Sequence, residues 1–135
     1  MNVGKYIFSV LSANSAVTAL AGTRIYPVII GEKSAFPAIA YSVSTTPKDT
    51  QKTQVSDYDR ELVTFHIWAD ILQGADGYTK TCDIDAAIRT AFDFVEGTAA
   101  GVTVVACHYD GSKDVIAEDR MLIGKEATYT FITRR

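Results

Sequence analysis

Four side chains in the sequence could bind a soft metal ion, namely His66, Cys82, Cys107 and His108. No pair of them has the C-x-x-C or H-x-x-x-H spacing that presents two ligands to one ion. Cys107 and His108 are adjacent on an alternating segment, so their side chains should point to opposite faces of a strand. We therefore interpret both cysteines as reduced core thiols, and we predict no metal site and no cofactor.

The acidic residues are densest between Asp110 and Asp119, where Asp114 and Glu118 also lie. This stretch lacks the alternating carboxylates, central glycine and closing glutamate of a calcium loop. Asp110-Gly111 is a typical turn sequence, so we expect a solvated hairpin tip. A catalytic carboxylate pair would need one carboxyl in an apolar pocket. We expect every acidic residue in a polar stretch or on the outer face of a helix.

Nucleophilic and phosphate-binding motifs are also missing from the sequence. Neither cysteine follows a glycine turn or begins a helix, and no Gly-x-Ser-x-Gly sequence occurs. Gly74-Ala75-Asp76-Gly77 precedes a helical pattern, and its two glycines are expected to mark a break in the chain. It lacks the third glycine or the lysine–serine pair of a phosphate loop. We predict no catalytic residue.

Length and composition favour one globular domain over residues 1–135. Hydrophobic residues make up 47% of the chain and charged residues 21%, which is typical of a folded domain. The net charge of −3 gives no general attraction to phosphate backbones. Lys48 with Lys52, and Arg134 with Arg135, are too few to form a basic patch, so we expect no sequence-specific nucleic-acid binding.

Membrane insertion and export are both disfavoured. No apolar run approaches the roughly 18 to 20 residues that cross a bilayer. The segment Tyr6–Leu11 follows Lys5 but is short, is interrupted by a serine and is followed by polar residues, which a folded helix explains better than a signal peptide. We expect no membrane partner and a cytoplasmic setting.

Hydrophobic periodicity predicts an α+β domain, with a mainly antiparallel sheet of four to five strands and two or three helices packed on one face. The strand Leu62–Ala69 has large groups on both faces, which predicts a central strand partly covered on its second side. Pro27 makes the segment 24–30 an edge strand or a lead-in. The remaining expected elements are helices at Val3–Leu11, Ala16–Ala21 (capped by Ser15) and Tyr78–Val95, and strands at Pro37–Thr45, Val102–Tyr109 and Arg120–Thr133. The last helix has a core stripe through Ile84 and Ile88, and Gly124 in the last strand is expected to mark a bulge.

A polar arm at about residues 46–58 separates two of the predicted strands. Neighbouring strands need only about two to five residues to turn round. A longer polar segment has little to bury against its own domain, so we expect the arm to order against another chain. The expected contact residues are Lys48, Gln51, Lys52, Gln54, Val55 and Tyr58.

Most of the chain, from Tyr6 to Phe131, resembles the tail-completion or head-to-tail joining proteins of long-tailed bacteriophages, also called tail terminators. The resemblance rests on patterns in chain order rather than on catalytic signatures. These are a helix and capped turn ending Leu20-Ala21-Gly22, then Arg24-Ile25-Tyr26-Pro27, Phe36-Pro37-Ala38-Ile39-Ala40-Tyr41, the polar arm, the strand Val63–Ala69, and a helix with Ala87, Ile88, Arg89 and Ala91.

The resemblance implies a non-enzymatic structural protein of a phage or prophage tail. Such a protein assembles with itself into a six-fold ring on the tail. When isolated, it can be a monomer. Its other implied partners are the tail-tube protein and a head-completion or connector protein. It would reside in the host cytoplasm during assembly and then in the virion tail.

Two other classes of function stay open from the residues alone. A small monomeric ligand- or peptide-binding α+β domain would have a well-formed apolar pocket beneath the arm. An enzyme with an unfamiliar site would need titratable groups that converge in a cleft.

Overall fold

The computed structural model describes residues 3–30, 34–47 and 57–134. These residues form three α-helices and six strands, with short 3-10 turns at Ile71–Gln73 and Glu118–Arg120. In chain order the elements are α1 (Gly4–Ala13), α2 (Ser15–Ala21), β1 (Ile25–Pro27), β2 (Ala38–Pro47), β3 (Tyr58–Asp70), α3 (Gly74–Phe92), β4 (Gly97–Ala99), β5 (Val102–Ala117) and β6 (Leu122–Arg134).

The six strands form one sheet in the order β1-β2-β3-β6-β5-β4. Only β1 and β2 pair in parallel, and every other pair is antiparallel. This confirms the predicted α+β class and the edge position of β1. The sheet has one strand more than the upper predicted number, because the three residues of β4 are too few to show alternation.

The main core lies between the sheet and the three helices. Alternate residues of β3, including Phe65, and of β6, including Tyr129 and Phe131, face α3. Phe92 of α3 stacks on Phe65 at 5.8 Å between ring centroids, and Tyr129 meets Phe65 edge-on at 5.5 Å. Each fully buried side chain of this kind contributes about 1.5–3 kcal/mol relative to exposure. The central part of the sheet and α3 therefore contribute much of the burial that stabilises the fold.

A smaller cluster covers part of the opposite face of the sheet. Ile30, Ala38 and Ala40 are buried there, and Trp68 of β3 packs against them. This confirms that β3 is a central strand covered on part of its second side. Further along the same face Leu62 stays exposed, so the cover is incomplete.

The junction between α1 and α2 is capped by Asn14 rather than by the predicted Ser15. The Asn14 Oδ1 atom accepts hydrogen bonds from the backbone N–H groups of Ala16 (3.0 Å) and Val17 (3.2 Å). Both residues are good N-caps, and the one whose backbone is extended takes the role. Ser15 is therefore the first residue of α2.

Helix α3 begins at Gly74, four residues before the predicted start at Tyr78. Gly77, expected to mark a break, lies inside the helix and is buried. A Cβ atom at position 77 would lie 2.8 Å from the Gln73 Cβ and 3.2 Å from the Ala69 Cβ. The glycine thus allows the helix to approach the end of β3 closely, and its signal as a breaker was misleading.

The predicted turn at Asp110-Gly111 is wrong, because β5 runs through it to Ala117. The register of β5 against β6 shifts between Tyr109 and Gly111, so this sequence forms a β-bulge. The chain reverses at Glu118–Arg120 instead, where Met121 has a left-handed φ of 54°. The acidic stretch from Asp110 to Asp119 is therefore mostly strand.

No helix among the described residues is both long enough and apolar enough to span a bilayer.

Gly124, expected to mark a bulge, instead lies opposite Trp68 in an unshifted stretch of the β3–β6 ladder. A Cβ atom built there would overlap the carbonyl oxygen of Ile67. We expect Gly124→Ala to lower the free energy of unfolding by about 2–3 kcal/mol, because the strands must move apart. Urea unfolding measures the change. Thr128→Ala, on the same strand, is the control, and equal stability of the two variants would contradict the prediction.

Candidate functional site

The predicted arm leaves the sheet at one end of the β2–β3 hairpin, since Pro47 and Asp59 are register partners. Tyr58, the last of its predicted contact residues, begins β3 opposite Arg134. The Arg134 guanidinium lies 6.0 Å from the centre of the Tyr58 ring. The other five predicted contact residues lie outside the described residues, namely Lys48, Gln51, Lys52, Gln54 and Val55.

A fully buried carboxylate holds the base of this arm. The Glu61 Oε1 atom accepts hydrogen bonds from the Val3 backbone N–H and the Thr45 hydroxyl, both at 2.9 Å. Its Oε2 atom accepts one from the Thr133 hydroxyl at 2.8 Å. Val3 is the N-cap residue of α1 and offers no side-chain cap of its own. Glu61 therefore joins the start of α1 to the ends of β2, β3 and β6.

The prediction that every acidic residue lies in a polar stretch or on an outer helix face is wrong for Glu61 and Asp59, both of which are buried. The signal was present in the alternation of β3. Val63, Phe65 and Ile67 face the core, and the same period continued backwards places residues 61 and 59 on that face. The strand was expected to begin at Leu62, so the continuation was missed.

The four candidate metal ligands do not form a site. Cys107 is buried and His108 is exposed, which confirms their opposite faces. His66 lies on the face of β3 that points away from the main core. Its ring stacks on that of Trp68 with 5.9 Å between centroids, and its Nε2 atom is 3.7 Å from a Glu126 carboxylate oxygen. Among the residues that the structure describes, no three or more His, Cys, Asp or Glu side chains are grouped as metal ligands.

The two free cysteines differ in their surroundings. Burial raises the pKa of the Cys107 thiol to about 12, and the nearby carboxylates of Asp93 and Asp110 act in the same direction. Cys107 is therefore a protonated thiol at neutral pH and a poor nucleophile. Cys82 is only partly buried on α3, so its predicted place in the core is wrong.

A polar network links α3 to the β5–β6 hairpin. The Lys125 ammonium lies 2.8 Å from the Asp114 carboxylate, and the Tyr78 hydroxyl donates to both oxygens of that carboxylate at 3.1 Å. The bonds from Lys125 and Tyr78 lower the pKa of Asp114, and the pairing raises that of Lys125 to about 12. Because Asp114 is exposed, water screens the pair and its contribution to stability is small.

Asp85 on α3 is a third acidic residue that departs from the prediction, because it is half-buried. Burial raises the pKa of its carboxyl, against opposing effects of Lys125, a hydrogen bond from Ser112, and Arg89. Its Oδ1 atom and the Tyr129 hydroxyl are buried without a hydrogen-bond partner in the described part of the chain. The charged form of Asp85 therefore opposes folding.

A groove of about 840 Å³ runs between α1 and the edge of the sheet. Beyond Tyr41 no described strand pairs with the outer edge of β2, so the groove floor there borders an open strand edge. Lys5 is the one charged side chain among its described lining residues. The lining is otherwise apolar or small, and consists of Gly4, Lys5, Phe8, Ser9, Ser12, Pro27, Val28, Tyr41, Ser42, Val43 and Ala100.

Val28 lines this groove in an unusual backbone conformation. Its φ is 68°, a region that β-branched residues rarely adopt. Its backbone N–H donates to the Tyr41 carbonyl at 2.7 Å, which holds the conformation at the end of β1. The side chain is nevertheless 76% exposed. The fold thus keeps an exposed apolar side chain at a strained position.

Comparisons with known proteins give a family and a fold. A family model described as "Tail completion protein gp17" matches residues 5–134. A chain of the "Virion of native gene transfer agent (GTA) particle" has a similar fold, with a TM-score of 0.73 and 15% sequence identity over 96% of this chain and 92% of that chain. No curated protein matches the sequence.

Glu61 yields a prediction about stability. We expect Glu61→Ala to lower the free energy of unfolding by about 3 kcal/mol, because three donors lose their shared acceptor in a dry site. Glu61→Gln should cost about 1 kcal/mol, because the amide oxygen still accepts and a threonine hydroxyl can accept from the amide N–H. Urea unfolding distinguishes them, with Glu126→Ala as the half-buried control. Equal losses for the alanine and glutamine variants would contradict this role.

Asp85 yields a prediction about pH. Its pKa in the folded chain lies above the ordinary 3.8, so the folded state binds the proton more tightly. Below pH 3.8 the group is protonated in both states, and stability is lost as pH rises through the folded pKa. We expect Asp85→Asn to be more stable than the natural chain, by a margin that grows as pH rises from 3.8 through the folded pKa and then levels off. Thermal unfolding against pH measures it, with exposed Asp83→Asn as control. A pH-independent difference would refute the idea.

Proposed function

Because the chain belongs to the tail completion protein gp17 family, we propose that it is a non-enzymatic structural protein that completes the tail of a phage, prophage or phage-like particle. In this role it forms a six-fold ring on the end of the tail tube, stops tube growth and joins the tail to the head. The observation that carries the proposal is the family match over residues 5–134. The shared fold with a chain of a gene transfer agent virion supports it.

The side-chain chemistry supports a structural role rather than an enzymatic one. Both oxygens of buried Glu61 already accept hydrogen bonds from within the fold. The Cys107 thiol is protonated at neutral pH. Neither group is placed to act on a substrate, because the first has no free acceptor position facing solvent and the second is buried.

The arm supplies one contact between neighbouring subunits in this proposal. Lys48, Gln51, Lys52, Gln54 and Val55 connect the paired ends of β2 and β3, and Tyr58 stands at the base. The buried Glu61 network fixes that base, so contacts made by the arm act on a rigid sheet. Ring contacts are head-to-tail and require two different surfaces on each subunit.

The remaining parts of the proposal concern location and partners. The chain acts as one domain over residues 1–135. It binds the tail-tube protein and a head-completion or connector protein, assembles in the host cytoplasm, and then stays in the virion tail. A subunit that meets its neighbours only on the tube end would be monomeric when isolated.

A monomeric peptide-binding domain is a second candidate, and the apolar groove beside β2 favours it. Grooves of this size accept small ligands or short peptides. The two functions differ in what removal of the protein does to a particle, because a peptide-binding domain would leave tail length unchanged.

Deletion of the protein from the phage or prophage that encodes it tests the proposal. We expect tubes of uncontrolled length without heads in electron micrographs, because tube growth loses its terminator. The natural chain should restore uniform tails, whereas Lys48→Glu with Lys52→Glu should restore fewer than about one tenth of them if each charge reversal costs roughly 1 kcal/mol at a partner contact.

Lys80→Glu with Lys113→Glu is the charge-matched control, since neither lysine belongs to the arm; Lys80 is partly exposed and Lys113 is exposed. This control should restore tails fully. Normal tails in the deletion strain would overturn the function. Full rescue by the arm variant would overturn the role of the arm alone.

A further inference from the structure

The groove between α1 and β2 has the character of a docking surface. Phe8, Val28 and Val43 present apolar surface to it, and Val28 and its neighbour Ile29 are among the most exposed apolar residues of the chain. Lys5 gives its rim a positive charge, and no acidic residue lines its described part. The groove therefore suits an apolar segment that carries carboxylates.

Val28 supplies a second reason to assign a partner to the groove. A β-branched residue at a φ of 68° is strained, and glycine or asparagine would fit the position better. Within the subunit the side chain gains little burial in return. Strained backbone conformations of this kind are often found at functional sites. A partner that covers Val28 would account for both its residue type and its exposure.

The turn between β5 and β6 carries the complementary features. Ile116 is 56% exposed and Met121 is 55% exposed at the two sides of the turn Glu118–Arg120. Glu118 and Asp119 begin this turn and Arg120 ends it, so the turn carries a net negative charge. The turn is supported by a hydrogen bond from the Ile71 backbone N–H to the Met121 carbonyl at 3.0 Å. We define the hairpin tip as residues 116–121.

We propose that the hairpin tip of one copy docks in the groove of a second copy. Ile116 and Met121 would then cover Phe8 and Val28, and Glu118 and Asp119 would lie beside Lys5. A volume of about 840 Å³ is enough for several side chains. Because groove and tip are different surfaces, each contact leaves one of each free and can repeat into a closed ring. This inference rests on the proposed tail function and names a contact that would build its ring.

A charge exchange between two copies tests the contact. The groove variant is Lys5→Glu, and the tip variant is Glu118→Lys with Asp119→Lys. Each variant alone juxtaposes like charges, so we expect about a tenfold loss of normal tails when either one complements the deletion strain. Expressed together, each groove meets a tip of opposite charge, and normal tails should return.

The same pair can be tested with purified proteins. At high protein concentration and low salt, where a weak contact is populated, light scattering of the mixed variants should show a larger mean size than either variant alone. Added salt should reduce that size, because exposed charge pairs are screened. Lys80→Glu is the control for loss of one exposed lysine. The inference is overturned if the mixed variants give no more normal tails and no larger assemblies in solution than the separate variants.

Val28→Gly separates docking from folding. Glycine relieves the left-handed backbone, so the thermal midpoint of the monomer should rise by about 3 °C. The loss of the apolar side chain should at the same time reduce the yield of normal tails. A variant that is more stable and still fully active would contradict a docking role for Val28.

The outcomes distinguish this inference from the function on which it rests. Normal tails in the deletion strain would refute the proposed function, whatever the result with the variants. If the deletion strain has long tails and each single variant rescues it fully, the proposed function is supported and the proposed contact is refuted. Failure of Lys5→Glu that the tip variant does not correct would show that another protein occupies the groove.

Discussion

The buried carboxylate of Glu61 is the constraint on which the rest of the structure depends. A carboxylate without compensating donors would not remain buried, because its desolvation costs several kcal/mol. Three donors from Val3, Thr45 and Thr133 meet it, and they belong to three separate elements. The start of α1 and the ends of β2 and β6 must therefore converge on β3. The convergence point is also the base of the arm.

The same network connects the interior to the surface of the groove. Val3, Tyr6 and Ile7 face the core, and Lys5 and Phe8 lie on the outer side of the same helix. Fixing the N-cap residue of α1 against β3 constrains how the helix lies over the sheet, and hence the width of the groove. A change at Glu61 should therefore alter the width of the groove as well as the overall stability, although Glu61 does not line the groove.

Sequence periodicity was sufficient for the class of fold and for the central elements. The alternation around Phe65 and the helical stripe through Ile84 and Ile88 are long, and the packing they predict is present. Local signals failed where tertiary contacts changed their meaning. Gly77 marks close packing rather than a break, and Asp110-Gly111 marks a bulge rather than a turn. Burial of Glu61 follows from the alternation of β3 continued backwards. Its hydrogen-bond donors, the burial of Asp85 and the groove could not be predicted, because each depends on elements that are distant in sequence.

Small contacts would suit the proposed assembly of the protein on the end of a tail tube. A contact confined to a hairpin tip and a groove would be small, and small interfaces are usually weak. In that proposal, a subunit already bound to the tube would meet its neighbour at a high effective concentration, so weak contacts would become sufficient there. The exposed apolar side chains are divided between the groove, which has Val28, and the hairpin tip, which has Ile116 and Met121. This division limits the size of any single apolar patch on the free subunit. Weak, divided surfaces of this kind would prevent rings from forming away from the tail while still closing them on it.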